Sequence, residues 1–209
     1  MIRLLSIAYL PPISYIADCI RSGEIVIDFH EHYVKQTLRN RALIYGANGI
    51  LPLIIPVQHK DVFDIPVQEA LISYDVDWQK THWRSIVSAY RNSAFFEYFE
   101  DDFGVFYHRK FPTLCEYDIE LLKLVFRILR VEVVVSVTDG YQQEVAGQLD
   151  LRNAFDDNEH STTNQKPSET SYRQVFSDKH GFLPNLSIID LLFNEGPESI
   201  GYLTQISQP

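Results

Sequence analysis

Cysteine is scarce. The chain has two, Cys19 and Cys115, far apart and outside any CxxC pairing. A reducing compartment such as the cytoplasm is the simplest account, although an oxidising one would let the two pair. Long apolar runs are also missing. None reaches eighteen residues, which excludes a membrane-spanning helix. Met1-Ile2-Arg3-Leu4-Leu5 opens like a signal peptide, but Pro11, Pro12 and Asp18 break the pattern, so no such segment is expected. Positive charge is in deficit, with 18 Lys and Arg against 28 Asp and Glu and a net charge of −10. A chain this acidic repels nucleic acid and anionic membrane surfaces unless its few cations gather in one place. No GxGxxG, no GxxxxGK[ST] and no GxSxG elbow occurs, so the common phosphate loops and the hydrolase elbow are excluded as motifs.

What is present suits a folded domain. The 209 residues weigh 24.3 kDa, with 45% hydrophobic and 22% charged side chains. That is long enough to bury a core without disulfides or metals. We expect residues 1–209 to form a single domain, with a helical subregion at about 77–130 and a polar loop at about 150–170.

The pattern predicts an α/β fold with a central mixed sheet. Arg3 to Tyr9 reads as a short apolar strand closed by Pro11-Pro12. Ile13, Ile16, Ala17 and Ile20 recur at helical spacing, and Gly23 stands where a C-cap would. Glu24 to Phe29 is a second strand, giving a strand-helix-strand opening with a crevice expected near Tyr9 to Pro12. Arg41 to Val57 reads as a β-hairpin around Asn48-Gly49, with Pro52 and Pro56 marking an edge or bulges. Ala70 to Tyr74 reads as a further strand.

From Asp77 the period becomes helical. Asp77 is placed to cap a helix carrying the stripe Trp83, Ile86, Val87 and Tyr90. An aromatic-rich helix follows over about 94–107. A third helix, with Asp118 as its expected cap, is apolar nearly all round. Val131 to Val137 has the content of an interior strand. Gly147 to Thr170 is polar and turn-rich, and Leu186 to Phe193 is a short amphipathic helix ended by Gly196-Pro197.

Chemistry concentrates in two stretches. Glu31 to Arg41, EHYVKQTLRNR, gathers Lys35, Arg39 and Arg41 within an acidic chain. If extended, it points Glu31, Tyr33, Lys35, Thr37, Arg39 and Arg41 to one face. If helical, it stacks Glu31, Lys35 and Arg39. Either geometry concentrates cations fit for carboxylate or phosphate, the plainer alternative being a solvated surface paired with nearby acids. In the second stretch, Trp78, His82, Ser85 and Ala89 share one helix face. His82 is a candidate acid/base and Ser85, one turn away, a candidate hydroxyl partner; the alternative is a packing histidine. Trp83 reads as core. His30 and His32 lack a third ligand, so no metal or cofactor is expected. Glu97, Glu100, Asp101 and Asp102 read as a solvated helix end and Asp150 and Arg152 as a strand-end pair, while Asp190, inside an apolar stretch, needs a partner if buried and otherwise lies on the exposed side.

Five stretches together resemble the WbqC-like protein family: YLPPISYIADCIRSGEIVID, EHYVKQTLRNRALI, ANGILPLIIPV, HWRSIVSAYRNSAFFEYF and PNLSIIDLLFNEGP. They stand in the family's order and cover nearly the whole chain. The resemblance implies a bacterial protein of surface-polysaccharide gene clusters, notably O-antigen. It marks Tyr33, Lys35, Gln36, Thr37, Arg39, Asn40 and Arg41, then His82, Trp83, Ser85 and Tyr90. It also marks Asp150 with Arg152, Tyr172 with Gln174, and Ser187 with Asp190. Ala8 departs from the polar residue that many members carry before the first Tyr-x-Pro.

Two functions follow as expectations. One is a cytoplasmic transferase acting on an activated aminosugar. His82, Ser85 and Lys35 would be catalytic, and Tyr33, Gln36, Arg39, Asn40, Arg41, Trp78, Asp150 and Arg152 would bind a small anionic ligand such as a nucleotide sugar. The other is a non-catalytic binding or assembly protein of the same pathway, a homo-oligomer using the aromatic stretch Phe95 to Tyr107 as a partner surface.

Overall fold

A computed structural model describes residues 1–58, 65–141, 147–156 and 171–206. Strands β1 (Ile2–Leu5), β2 (Glu24–Ile27), β5 (Val134–Val137) and β6 (Gln148–Asp150) form one sheet in the order β5-β2-β1-β6. Every neighbouring pair is parallel. Parallel neighbours need a crossover, and helix α1 (Ile13–Ser22) supplies it between β1 and β2. Ile13, Ile16, Ala17 and Cys19 are buried, and Gly23 ends the helix at φ 70°, its N–H bonded to the Cys19 carbonyl. The α/β class and the strand-helix-strand opening are therefore as the sequence predicts.

The hairpin forms a second sheet of its own. β3 (Arg41–Gly46) and β4 (Gly49–Ile54) pair antiparallel from Arg41 opposite Ile54 to Gly46 opposite Gly49. Gly49 takes φ 104°, a conformation that favours glycine.

Three helices pack as the helical subregion: α2 (Trp78–Tyr90), α3 (Phe96–His108) and α4 (Leu114–Leu129). Phe96 and Phe103 of α3 pack edge-on against Phe193 at centroid distances of 5.1 and 5.3 Å. Most of the α3 aromatics therefore fill the core, although Tyr98 and Val105 stay exposed at 74% and 57%. Short helices α5 (Ser177–His180), α6 (Ile188–Glu195) and α7 (Ser199–Ile206) close the described chain.

Several expectations need correction. Thr113, not Asp118, caps α4: its hydroxyl oxygen accepts from the Glu116 N–H at 3.2 Å. Asp118 lies inside the helix and is wholly buried. Asp77 stands at the start of α2 but makes no side-chain cap bond. Ala70 to Tyr74 makes isolated bridges, Val57 with Ile72 and Leu71 with Thr113, after a single 3-10 turn at Val67–Glu69. β5 is an edge strand, with Val134 and Val137 exposed at 63% and 45%. A run of valines shows strand propensity but not how many neighbours the strand has. Within Gly147 to Thr170, Gln148–Asp150 is a sheet strand, and 157–170 lie outside the described residues.

Candidate active site

Because the four strands run the same way, their carboxyl ends share one edge. Polar side chains stand there in turn: Ser6 after β1, Asp28 after β2, Thr138 after β5, and Asp150 with Arg152 at the end of β6. In open parallel sheets this edge is where ligands bind. Asp28 is wholly buried and fully engaged. Its Oδ1 accepts from the His30 N–H and the Thr138 hydroxyl, both at 2.9 Å, and its Oδ2 from Arg152 Nη1 at 2.7 Å. Arg152 also donates to Asp150 at 2.6 Å and lies 5.7 Å from the Tyr141 ring centre. These bonds hold Asp150 below the usual carboxylate range and raise Arg152.

A folded strap, residues 31–41, lies against this rim. Up to Asn40, where β3 begins at the next residue, it forms no regular strand or helix: Gln36 takes φ 60°, and the Asn40 side chain braces the turn by accepting from the Gln36 N–H and donating to the Ile55 carbonyl. Arg39 is buried and spends all its donors on the protein. Nε and Nη2 form a two-point pair with Glu31 at 2.8 and 2.7 Å. Nη1 reaches Asp156 at 3.0 Å and Thr37 at 3.1 Å, and Nη2 also reaches the Ser6 hydroxyl at 2.8 Å. Burial pushes the Glu31 carboxyl up, and Arg39 and Ser6 pull it part of the way back. Burial would lower the Arg39 guanidinium, but Glu31 and Asp156 more than offset it. Arg39 thus ties the strap to the residue that follows β1, and in this arrangement its N–H groups are all engaged within the protein. Lys35 is exposed on the strap, and Arg41 is half-buried with an unpartnered Nε.

Behind the rim lies an aromatic interior. The buried Tyr9 hydroxyl sits 3.0 Å from both His82 Nδ1 and the Tyr107 hydroxyl. Trp78 meets the His82 ring edge-on at 5.1 Å. Burial lowers His82 to about 4, so its imidazole is neutral at pH 7; the Ile54 carbonyl acts weakly the other way. Ser85 does not pair with His82. Its hydroxyl donates to the Thr81 carbonyl at 2.9 Å, the usual back-bond of a helical serine. Tyr33 is buried and pushed up to about 12 by burial, with Asp118 raising it further and Arg39 lowering it.

The later residues marked by the resemblance form a separate clamp. Asp190 is wholly buried, not exposed, and accepts from the hydroxyls of Tyr90 and Tyr172 and from Gln174 Nε2. The Tyr90 hydroxyl in turn accepts from the Tyr45 N–H at 3.0 Å, so the clamp joins α2, α6 and β3. Trp83 is partly buried and stacks on Tyr107 at 5.3 Å. Sequence reasoning missed Ser6, Asp28 and Thr138. Their signal was positional: each immediately follows an apolar strand. Among the described residues no three His, Cys, Asp or Glu side chains converge as metal ligands.

A parallel α/β sheet with charged groups gathered at its carboxyl edge defines the class of protein. The WbqC-like protein family model matches residues 8–152 and 141–202, and the chain belongs to that family. An uncharacterised protein of Mycobacterium tuberculosis, Rv1507c, is 27% identical over 222 residues, covering 96% of each chain. No solved structure matches the chain.

Proposed function

We propose that this protein is a cytoplasmic enzyme of bacterial surface-polysaccharide biosynthesis, O-antigen-like in kind, and that residues 1–209 act as one domain. The reaction is transfer onto an activated aminosugar. The observation that carries this reading is the rim itself: strands distant in sequence deliver Ser6, Asp28, Thr138, Asp150 and Arg152 to one edge, with Glu31 and Arg39 locked beside them. Building that rim costs desolvation of several charges, a cost that folding alone does not require.

In this reading Lys35 and Arg152 face the anionic part of the substrate, with Arg41 and Gln36 alongside. Arg39 and Asn40 hold the strap in shape. Tyr33 and Trp78 present ring faces to the sugar. His82 is the base: burial keeps its imidazole neutral at pH 7 and Tyr9 fixes its orientation. Ser85 leaves the catalytic set, because its hydroxyl is committed to Thr81.

Deletion of the gene followed by complementation tests this. Wild type should restore the surface glycan, while Lys35→Ala and Arg152→Lys should fail to. Full restoration by both variants would contradict the proposal. A second reading, assembly, is favoured by one observation: Tyr98 and Val105 lie seven residues apart on one exposed face of α3. A homo-oligomer on size exclusion that Tyr98→Glu dissociates would support it.

A further inference from the structure

Two buried side chains of the interior, Asp118 at both oxygens and Trp78 at Nε1, have no hydrogen-bond partner among the described residues, and the buried Tyr117 hydroxyl has only the neighbouring Tyr107 phenol. Native proteins leave few buried polar atoms unpaired, because each costs its desolvation without return. Here they sit in one neighbourhood. The Trp78 and Tyr117 rings meet edge-on at 5.7 Å, and Tyr117 follows Tyr9 at 6.0 Å. Asp118 acts electrostatically on Tyr9, Tyr107, Tyr117 and Tyr33.

The location matters as much as the lack of partners. Cys115, one turn before Asp118, feels both Asp118 and Glu31. Tyr33 feels both Asp118 and Arg39. Asp118 is therefore within electrostatic reach of residues that also feel Glu31 and Arg39 of the rim. Their hydrogen-bonding character is mixed: an indole N–H that only donates, a phenol that does either, and a carboxyl that does both when protonated. Burial with no compensating partner holds Asp118 well above the ordinary carboxylate range, which favours its neutral form. A group that accepts and donates at once, a hydroxyl, matches such a set. A phosphate would find too few donors there.

We propose that Asp118, Tyr117 and Trp78 form a hydroxyl-binding subsite behind the rim, which takes a sugar hydroxyl of the ligand whose anionic part the rim receives. This rests on the functional reading above and names the part of the substrate that the interior recognises. Asp118 is then kept at a cost to stability, as functional groups often are.

The test uses purified full-length protein with Asp118→Ala and the conservative Asp118→Asn. Binding of UDP-N-acetylglucosamine, UDP-glucose and dTDP-glucose is read by thermal shift and calorimetry. The proposal expects Asp118→Ala to be at least as heat-stable as wild type at pH 8 and to bind the preferred probe at least tenfold more weakly. Asp118→Asn, which still donates and accepts, should recover part of the loss. Undiminished binding by folded Asp118→Ala would overturn it, as would Asp118→Ala melting well below wild type, the mark of a purely structural carboxyl. If wild type binds none of the probes, the functional reading is what suffers. A high-resolution crystal structure grown with glycerol, the simplest polyol, then decides the subsite. A hydroxyl within bonding distance of both Asp118 and Trp78 Nε1 supports it; a dry, closed interior contradicts it.

Discussion

Arg39 carries most of the strap's energetics. Its five N–H groups satisfy Glu31, Asp156, Thr37 and Ser6, so removing it strands a buried carboxylate. Arg39→Ala should cost about 3–5 kcal/mol in urea unfolding. Glu31→Gln in the Arg39→Ala background should recover part of it, since the stranded charge is then gone. His82 gives a second residue-scale prediction. Its folded pKa of about 4 lies below its ordinary 6.5. The stability it contributes is therefore present above pH 6.5 and is lost as pH falls through about 4. Relative to His82→Gln, wild type should lose roughly 3 kcal/mol across that window. The comparison with the variant is needed because Asp118, Asp190 and Glu31 act in the opposite sense. Their raised folded pKa values give stability that is complete below about pH 4 and is lost as pH rises through those values.

At the scale of elements, the α1 periodicity, the Gly23 cap and the hairpin were legible because each is a local pattern. Partnership was not. The valine run of β5 looks interior in sequence, yet nothing local says that, among the described residues, β2 alone pairs with it. Val134→Lys should accordingly change stability by within ~0.5 kcal/mol, while Ile25→Lys in the central β2 should unfold the protein or come close. Asp118 looked like a cap because it precedes an apolar run, but Thr113 five residues earlier caps the helix and turns Asp118 into the core. Gly196 shows another hidden constraint. It takes φ 53°, and a Cβ there would meet the Phe95 ring at 2.5 Å. Gly196→Ala should lower stability by about 2–4 kcal/mol, read by thermal or urea denaturation.

Across the whole molecule, a net charge of −10 coexists with a cation-rich strap whose Arg39 is neutralised from within. The strap's positive content was visible in sequence, but the internal neutralisation of Arg39 was not. That depended on Glu31 folding back across Arg39 and on Asp156 arriving from 117 residues away. Likewise the rim exists only once four parallel strands bring their ends together. The partner of His82 is Tyr9, 73 residues distant, not Ser85 on the next turn, a pairing no local pattern shows.

The central claim is that the carboxyl edge of the sheet receives an anionic sugar substrate. The most direct test is a thermal-shift screen of the wild-type protein against nucleotide sugars, with Lys35→Ala and Arg152→Lys beside it. A ligand at a hundred times its dissociation constant stabilises the fold by about 2.7 kcal/mol, enough to move the midpoint clearly. The account predicts a shift selective for one nucleotide sugar, strongly reduced in both variants when each is compared with its own midpoint without ligand. A shift that both variants keep in full would place the ligand elsewhere and contradict the account.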